Sequence, residues 1–311
     1  MLMMDAYQAQ FGEQPKEYNN SPLEKNDHPE IGMSEELDET GRTIYMSLIG
    51  QLQWLVTLGC YDVATAVMTM SRFRDAPRKV HLDRVKRIFG YVRKFQKGCI
   101  RVRTAVPDYS SLPSQRYDWM HSVYGQVTEL LPTDAPEPLG KPVLTTTYVD
   151  ANLYHDLLTG RAVTGVLHMM NKTPIDWYSK RQATVETATY SSEFVAARIA
   201  TDQIIDLRTT LRYLGVPVNG ESYMFGDNQS VVTSSTIPHS SLNKRHNALS
   251  YHRVREAVAA GIVRFHFKRG KTNPADVLSK HTGHADAWPL VKPMLFWQGN
   301  TMDAPPVRGE Y

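Results

Sequence analysis

The chain has 311 residues, 41% of them hydrophobic and 22% charged, which fits one large or two ordinary globular domains and excludes a disordered polymer. Its two cysteines, Cys60 and Cys99, are too few for a disulfide framework and lack metal-ligand spacing, so a reducing, intracellular compartment is expected. The net charge of +3 hides three blocks: ten acids against two lysines over 5–40, twelve Lys/Arg against two acids over 72–103, and eight Lys/Arg against one acid over 244–271.

Residues 1–40 carry Pro15, Pro22, Pro29, clustered acids and little periodicity, and are expected to form a flexible acidic lead-in, the remainder of a longer polypeptide. Their opening, MLMMDAYQAQFGEQ, has neither the basic nor the apolar region of a signal peptide. No apolar run reaches the roughly 18 residues that a membrane helix needs. Residues 41–103 read as a small helical region. Ile44, Leu48, Leu52 and Leu55 share one helical face, and Gly59 is a stop. A second helix is predicted from about Asp62 to Phe73 and a third from about His81 to Lys97. The third carries Leu82, Val85, Ile88, Phe89 and Val92 inward, with Arg84, Lys86, Arg87, Arg93 and Lys94 outward. Its basic face either packs or meets a polyanion.

Residues 104–142 hold six prolines among Ser, Thr and Asp and read as a linker. The period then changes. Strands are predicted at 143–151, 162–170 and 173–180, with Asn171-Lys172 as a hairpin turn. A long helix follows over 188–214, its face marked by Ala197, Ala200, Ile204, Leu207, Leu211 and Leu214. Further elements are a strand at 222–226, a short helix over 228–235, a basic helix over 244–260, a strand at 262–268 and a helix opened by Pro274. The order implies an α/β fold, a mixed five-stranded sheet with flanking helices. This domain is expected to span 143–285, with a tail over 286–311.

Four acids stand at the ends of these elements: Asp150 after the first strand, Glu193 in the long helix, Asp227 past the fourth strand and Asp276 in the last helix. Stepping back four residues from Ala197 lands on Glu193, so this acid lies on the core-facing stripe. A buried acid is costly unless it is paired or ligates a metal. Asp227 reads equally well as a helix N-cap, and Asp150 as an ordinary turn acid. Taken together the four suit Mg²⁺, a hard ion that prefers oxygen ligands, with Mn²⁺ as a substitute. Two such ions about 3.5–4 Å apart can activate water and stabilise a leaving oxygen in phosphodiester hydrolysis.

Segments YVDAN (148–152), IDWYSKRQ (175–182), TATYSSEFVAA (187–197), GDNQSVV (226–232), the stretch from Arg245 to Phe267, and NPADVLSK (273–280) together resemble the ribonuclease H domain of Ty1/copia-type retrotransposon polyproteins. Residues 45–98 resemble the reverse-transcriptase tail of the same polyproteins. The resemblance implies a ribonuclease H-like fold and Mg²⁺-dependent hydrolysis of the RNA strand of RNA–DNA hybrids. It makes Asp150, Glu193, Asp227 and Asp276 catalytic, metal-binding acids. It puts Lys180, Arg181, Gln182 and Asn228 near substrate. The hybrid would be gripped through its backbone and 2′-hydroxyls. The implied partners are the hybrid and the rest of a retrotransposon polymerase, not a membrane. The implied location is cytoplasmic, in virus-like particles, or nuclear, and not secreted. The paired aspartates of a polymerase palm are missing, so polymerisation is not expected.

The sequence also departs from the family. Asn152-Leu153-Tyr154 follows the first acid, Ser191-Ser192-Glu193 replaces a Glu-Ala-Glu run, and Cys60-Tyr61-Asp62-Val63 replaces Arg-Pro-Asp-Ile. Two rivals follow. One is a catalytically inactive nucleic-acid-binding relic of such an element. The other is an integrase-like enzyme, disfavoured by the Asp-Glu-Asp-Asp order.

Overall fold

The computed structural model describes residues 2–295 apart from 18, 219 and 243. Its centre is a sheet built from β-branched and aromatic segments. Strands β1 (Thr145–Asn152), β2 (Val163–Met170) and β3 (Thr173–Arg181) form an antiparallel meander, with Asn171 in the left-handed region at the β2–β3 turn. Strands β4 (Ser222–Gly226) and β5 (Val263–Phe267) join parallel to β1, giving the order β3-β2-β1-β4-β5. Only β2 runs against the others. This is the mixed five-stranded sheet expected from the sequence.

Side chains along a strand alternate between faces, and the two faces have separate cores. Val149, Val166, Met224 and Val263 pack against Phe194, Ala197, Ala200 and Ile204 of the long helix. Tyr148, Leu167 and Phe225 pack on the opposite face against Ala275, Val277, Leu278, Val291 and Leu295. The first face is covered by α5 (Thr189–Tyr213), α6 (Gln229–Thr236) and α7 (Ala248–Ala259). The second is covered by α8 (Asp276–Ser279) and α9 (His284–Leu295).

The amino-terminal part holds α1 (Leu2–Phe11), α2 (Glu39–Thr57), α3 (Ala64–Ser71) and α4 (Lys79–Lys94) around their own core. The carboxylate of Asp38 accepts a hydrogen bond from the Gly41 amide and caps α2. The buried face of α2 is Tyr45, Leu48, Ile49 and Leu52, rotated from the predicted stripe, because Ile44 and Leu55 lie at its margins.

Three expectations are corrected. Residues 1–40 are not a loose lead-in: α1 buries Tyr7 against Phe89, and Leu23 is 2% exposed. Their acids meet the basic face of α4 in the ion pairs Arg84–Asp27, Arg87–Glu24 and Arg93–Glu17. Gly90 makes the crossing feasible, since a Cβ there would lie 2.1 Å from the Lys16 carbonyl oxygen. Residues 104–142 are irregular but bound to the sheet domain. Tyr109 packs on Tyr223 and Phe225, Trp119 covers the Arg255 guanidinium, and Glu129 takes both Arg208 and Arg212. The tail begins inside α9, which packs on the second core; residues 296–311 lie outside the described residues. No helix among the described residues is long and apolar enough to cross a membrane.

Candidate active site

Pairing geometry brings the acids together. Tyr148 of β1 pairs with Phe225 of β4 in parallel register, so two residues further on Asp150 stands across from Asp227. Glu193 reaches the same point from the first turns of α5. The carboxylates of Asp150, Glu193 and Asp227 each offer an oxygen, and these oxygens all lie within 4.8 Å of one another. Asp150 is 1% exposed and Glu193 8%.

The fourth acid arrives from the other face. Asp150 pairs with Gly165 of β2, and α8 rests on that glycine. A Cβ at Gly165 would lie 2.7 Å from the Ala275 carbonyl oxygen and 2.8 Å from the Ser279 nitrogen, so only glycine admits the helix this close. The Asn273 amide donates to the Val149 carbonyl over 2.9 Å and fixes the entry to α8. The Ser279 hydroxyl then donates to Asp150 Oδ2. Lys280 Nζ lies 3.1 Å from Asp276 Oδ1 and 3.5 Å from Asp150 Oδ2. Asp276 thus reaches the cluster through Lys280, and no oxygen of it belongs to the close group of three.

Burial, and after it crowding, raises three of these carboxyls. Burial, then Asp150 and Asp227, push Glu193 well above the ordinary carboxylate range. Burial and Asp150 raise Asp227 to about 6, with Lys280 opposing. Burial and Asp150 raise Asp276 to about 7 against the pull of Lys280. Burial works against the charge on Lys280, but Asp150 and Asp276 outweigh it and keep the ammonium above its ordinary value.

The residues expected near substrate divide. Lys180 is exposed on the edge strand β3. Arg181 is instead tied to the fully buried Asp156 at 2.7 Å. Gln182 is buried, and its amide donates to Thr164 Oγ1 and to the Ser192 carbonyl. It therefore holds the start of α5, and with it Glu193, against β2. Asn228 caps α6, its side-chain oxygen accepting from the Ser230 and Val231 amides. Sequence reading missed Ser279, Lys280, Gly165 and Gly270. Only Lys280 left a signal, four residues after Asp276 and hence on the same helical face. A Cβ at Gly270 would lie 2.7 Å from Asp227 Oδ2, so the loop carrying exposed Arg269 and Lys271 lies against the site.

Sheet order, strand directions and the acids at the strand ends define a ribonuclease H-like α/β protein with a helical region before it. Among the proteins to which it is similar are retrovirus-related Pol polyproteins from transposons. The chain is 26% identical over 246 residues to the Pol polyprotein from transposon TNT 1-94 of Nicotiana tabacum, covering 79% of this chain and 16% of that protein. It is 22% identical over 252 residues to the Pol polyprotein from transposon RE1 of Arabidopsis thaliana, covering 81% of this chain and 15% of that protein. The chain therefore spans only a small part of the length of these relatives. Among solved structures, RNase H1 from the halophilic archaeon Halobacterium salinarum aligns with 47% of this chain and 97% of its own, at 16% identity and a TM-score of 0.34. No protein-family model matches the chain.

Proposed function

We propose that this chain hydrolyses the RNA strand of RNA–DNA hybrids in a reaction that depends on Mg²⁺. The observation that carries the reading is the convergence of Asp150, Glu193 and Asp227, three carboxylates from three elements within 4.8 Å. The donor set fits the ion. It is all oxygen and largely buried, and burial first, then mutual repulsion, keeps Glu193 and Asp227 protonated beyond their ordinary range. Asp150, Glu193 and Asp227 would hold the ion. Bound there, it would supply an acidified water and stabilise charge on the phosphate.

The rest of the work falls to the chain. Gln182 and the first turn of α5 fix Glu193 in place. The Ser279 hydroxyl and Lys280 orient Asp150. Exposed Lys180, Arg245, Arg269 and Lys271 give the hybrid backbone cations to meet. The similarity of the chain to parts of retrovirus-related Pol polyproteins fits this reading. The setting we assign is that of a retrotransposon polymerase, in cytoplasmic particles or the nucleus.

The test uses a labelled RNA–DNA hybrid and the purified full chain. The expected result is endonucleolytic cuts in the RNA with Mg²⁺, none with chelator, and a loss on the order of 100-fold or more in Asp150→Asn. The same variant should keep its far-ultraviolet circular dichroism and cooperative melt. Hybrid binding without cutting by the unmodified chain would make it a binding relic, and strand joining would make it integrase-like.

A further inference from the structure

We propose that α3, a helix outside the sheet domain, positions the acids of the site: its polar stripe of Thr65, Thr69 and, directly after the helix, Arg72 grips the segments on which those acids stand. The inference rests on the hydrolytic reading above and assigns the helical region a part in it.

The spacing of the stripe is helical. Thr65, Thr69 and Arg72 recur at i, i+4 and i+7, which is one face. Thr65 and Thr69 are 3% and 1% exposed. The other face carries Ala66, Val67 and Met70 into the amino-terminal core, which holds the helix in place. Buried polar groups are costly unless they are hydrogen-bonded, and here the partners belong to the sheet domain. The Thr65 hydroxyl donates to the Val277 carbonyl of α8 at 2.7 Å and accepts from the Ser179 hydroxyl of β3 at 3.3 Å. Thr69 Oγ1 lies 3.4 Å from His155 Nε2 and 3.3 Å from His281 Nε2. Arg72 meets the fully buried Asp156 at 2.6 Å.

Each partner leads to an acid in a few steps. The Asn152 amide donates to His155 Nδ1 at 3.0 Å, and Asn152 ends β1 two residues past Asp150. The His155 proton then sits on Nε2, so His155 donates to Thr69 and Thr69 donates to His281. His281 stands just beyond α8, the helix that opens with Asp276. Asp156 also takes Arg181 at 2.7 Å, and the next residue, Gln182, donates to the Ser192 carbonyl at 2.9 Å, beside Glu193. One helical face thus ties down the end of β1, the α8 segment and the start of α5. Thr65 and Thr69 are too deeply buried to touch a hybrid, so they and Arg72 are positioning residues.

The experiment joins turnover to hydrogen exchange on the full chain. Thr69→Val keeps the shape and removes the hydroxyl; Arg72→Met removes the cation. Each should lower kcat on a labelled hybrid about tenfold with KM held within about twofold, as loss of a group that orients metal-holding residues does. Arg72→Lys, which returns one donor to Asp156, should recover most of that loss. With no divalent ion present, amides of the 153–161 loop and of the first turn of α5 should exchange about tenfold faster in both variants, while those of β4 and β5 keep their rates. Unchanged exchange at the loop and α5, or a gain spread evenly over β4 and β5, would overturn the inference. Full turnover in both variants, or a rise in KM alone, would overturn it too and leave hydrolysis standing. If the unmodified chain does not cut, the hydrolytic reading falls, and the exchange rates still decide whether α3 holds these segments. Thr69→Val carries both measurements if Arg72→Met does not fold.

Discussion

Glu193 shows how one side chain couples function to stability. It is held well above its ordinary value of 4.5, first by burial and then by Asp150 and Asp227. The folded chain therefore keeps a proton that the unfolded chain has lost. That contribution is fully present below about pH 4.5 and is lost as the pH rises through the folded value. Asp227, raised from 3.8 to about 6, and Asp276, raised from 3.8 to about 7, act with the same sign. Buried His155 and His281 act against them. Burial lowers these to about 4 and about 3, so they destabilise the fold as pH falls below 6.5. The total slope mixes both, and a difference isolates the acid. Without divalent ions, Glu193→Gln should melt higher than the unmodified chain at pH 8, by more than it does at pH 5. A gap that shrinks toward pH 8 would mean that Glu193 is stabilised as an anion. Helix phase made this residue legible, since it sits four positions before Ala197 on the buried stripe. Arg181 and Gln182 were illegible because their partners, Asp156 and the Ser192 carbonyl, depend on how β3 meets neighbouring segments.

At the scale of elements, α8 decides whether the site is complete. It is only four residues long, and its place is set by what β2 lacks. In Gly165→Ala the new methyl would meet backbone at 2.7 Å, and neither the interior strand β2 nor α8 can yield cheaply. The expected cost is about 1–3 kcal/mol in a denaturant titration, as for overpacked interiors. Hybrid cleavage should fall further than this loss explains, because Lys280 and Ser279 move away from Asp150. A variant with normal stability and full cleavage would show that α8 has slack. The strands and long helices were readable from periods of two and 3.6 residues. The glycine's role was not, because a close approach between β2 and α8 leaves no mark in either segment alone. The amino-terminal strap, residues 12–38, hides its order in the sequence for a related reason. Its prolines and acids suggest disorder, yet they complement the cations of α4 some sixty residues away.

Across the whole molecule, the helical region and the sheet domain are one folded body. Tyr61 and Ala64 belong to the second core of the sheet, and the Trp177 indole donates to the Val56 carbonyl at 3.0 Å. Arg72 reaches the buried Asp156 at 2.6 Å. The charge map changes accordingly. Read from sequence, 72–103 and 244–271 are both basic footprints for a polyanion. In the fold, the first is largely answered by the strap: Arg78 by Glu36, Arg84 by Asp27, Arg87 by Glu24 and Arg93 by Glu17. Arg269 and Lys271, by contrast, are exposed on the loop that touches Asp227. Hybrid binding should follow the second block. In an Asp150→Asn background, Lys271→Glu should weaken hybrid affinity, and should flatten the slope of log affinity against log salt by about one contact. Arg87→Glu should change neither quantity, because it reverses a charge already paired, and its cost in stability should stay within about 1 kcal/mol as for other surface pairs. Fluorescence anisotropy on a labelled hybrid at several salt concentrations gives both numbers. Equal losses from the two variants would return α4 to the binding surface and make the strap a competitor for it.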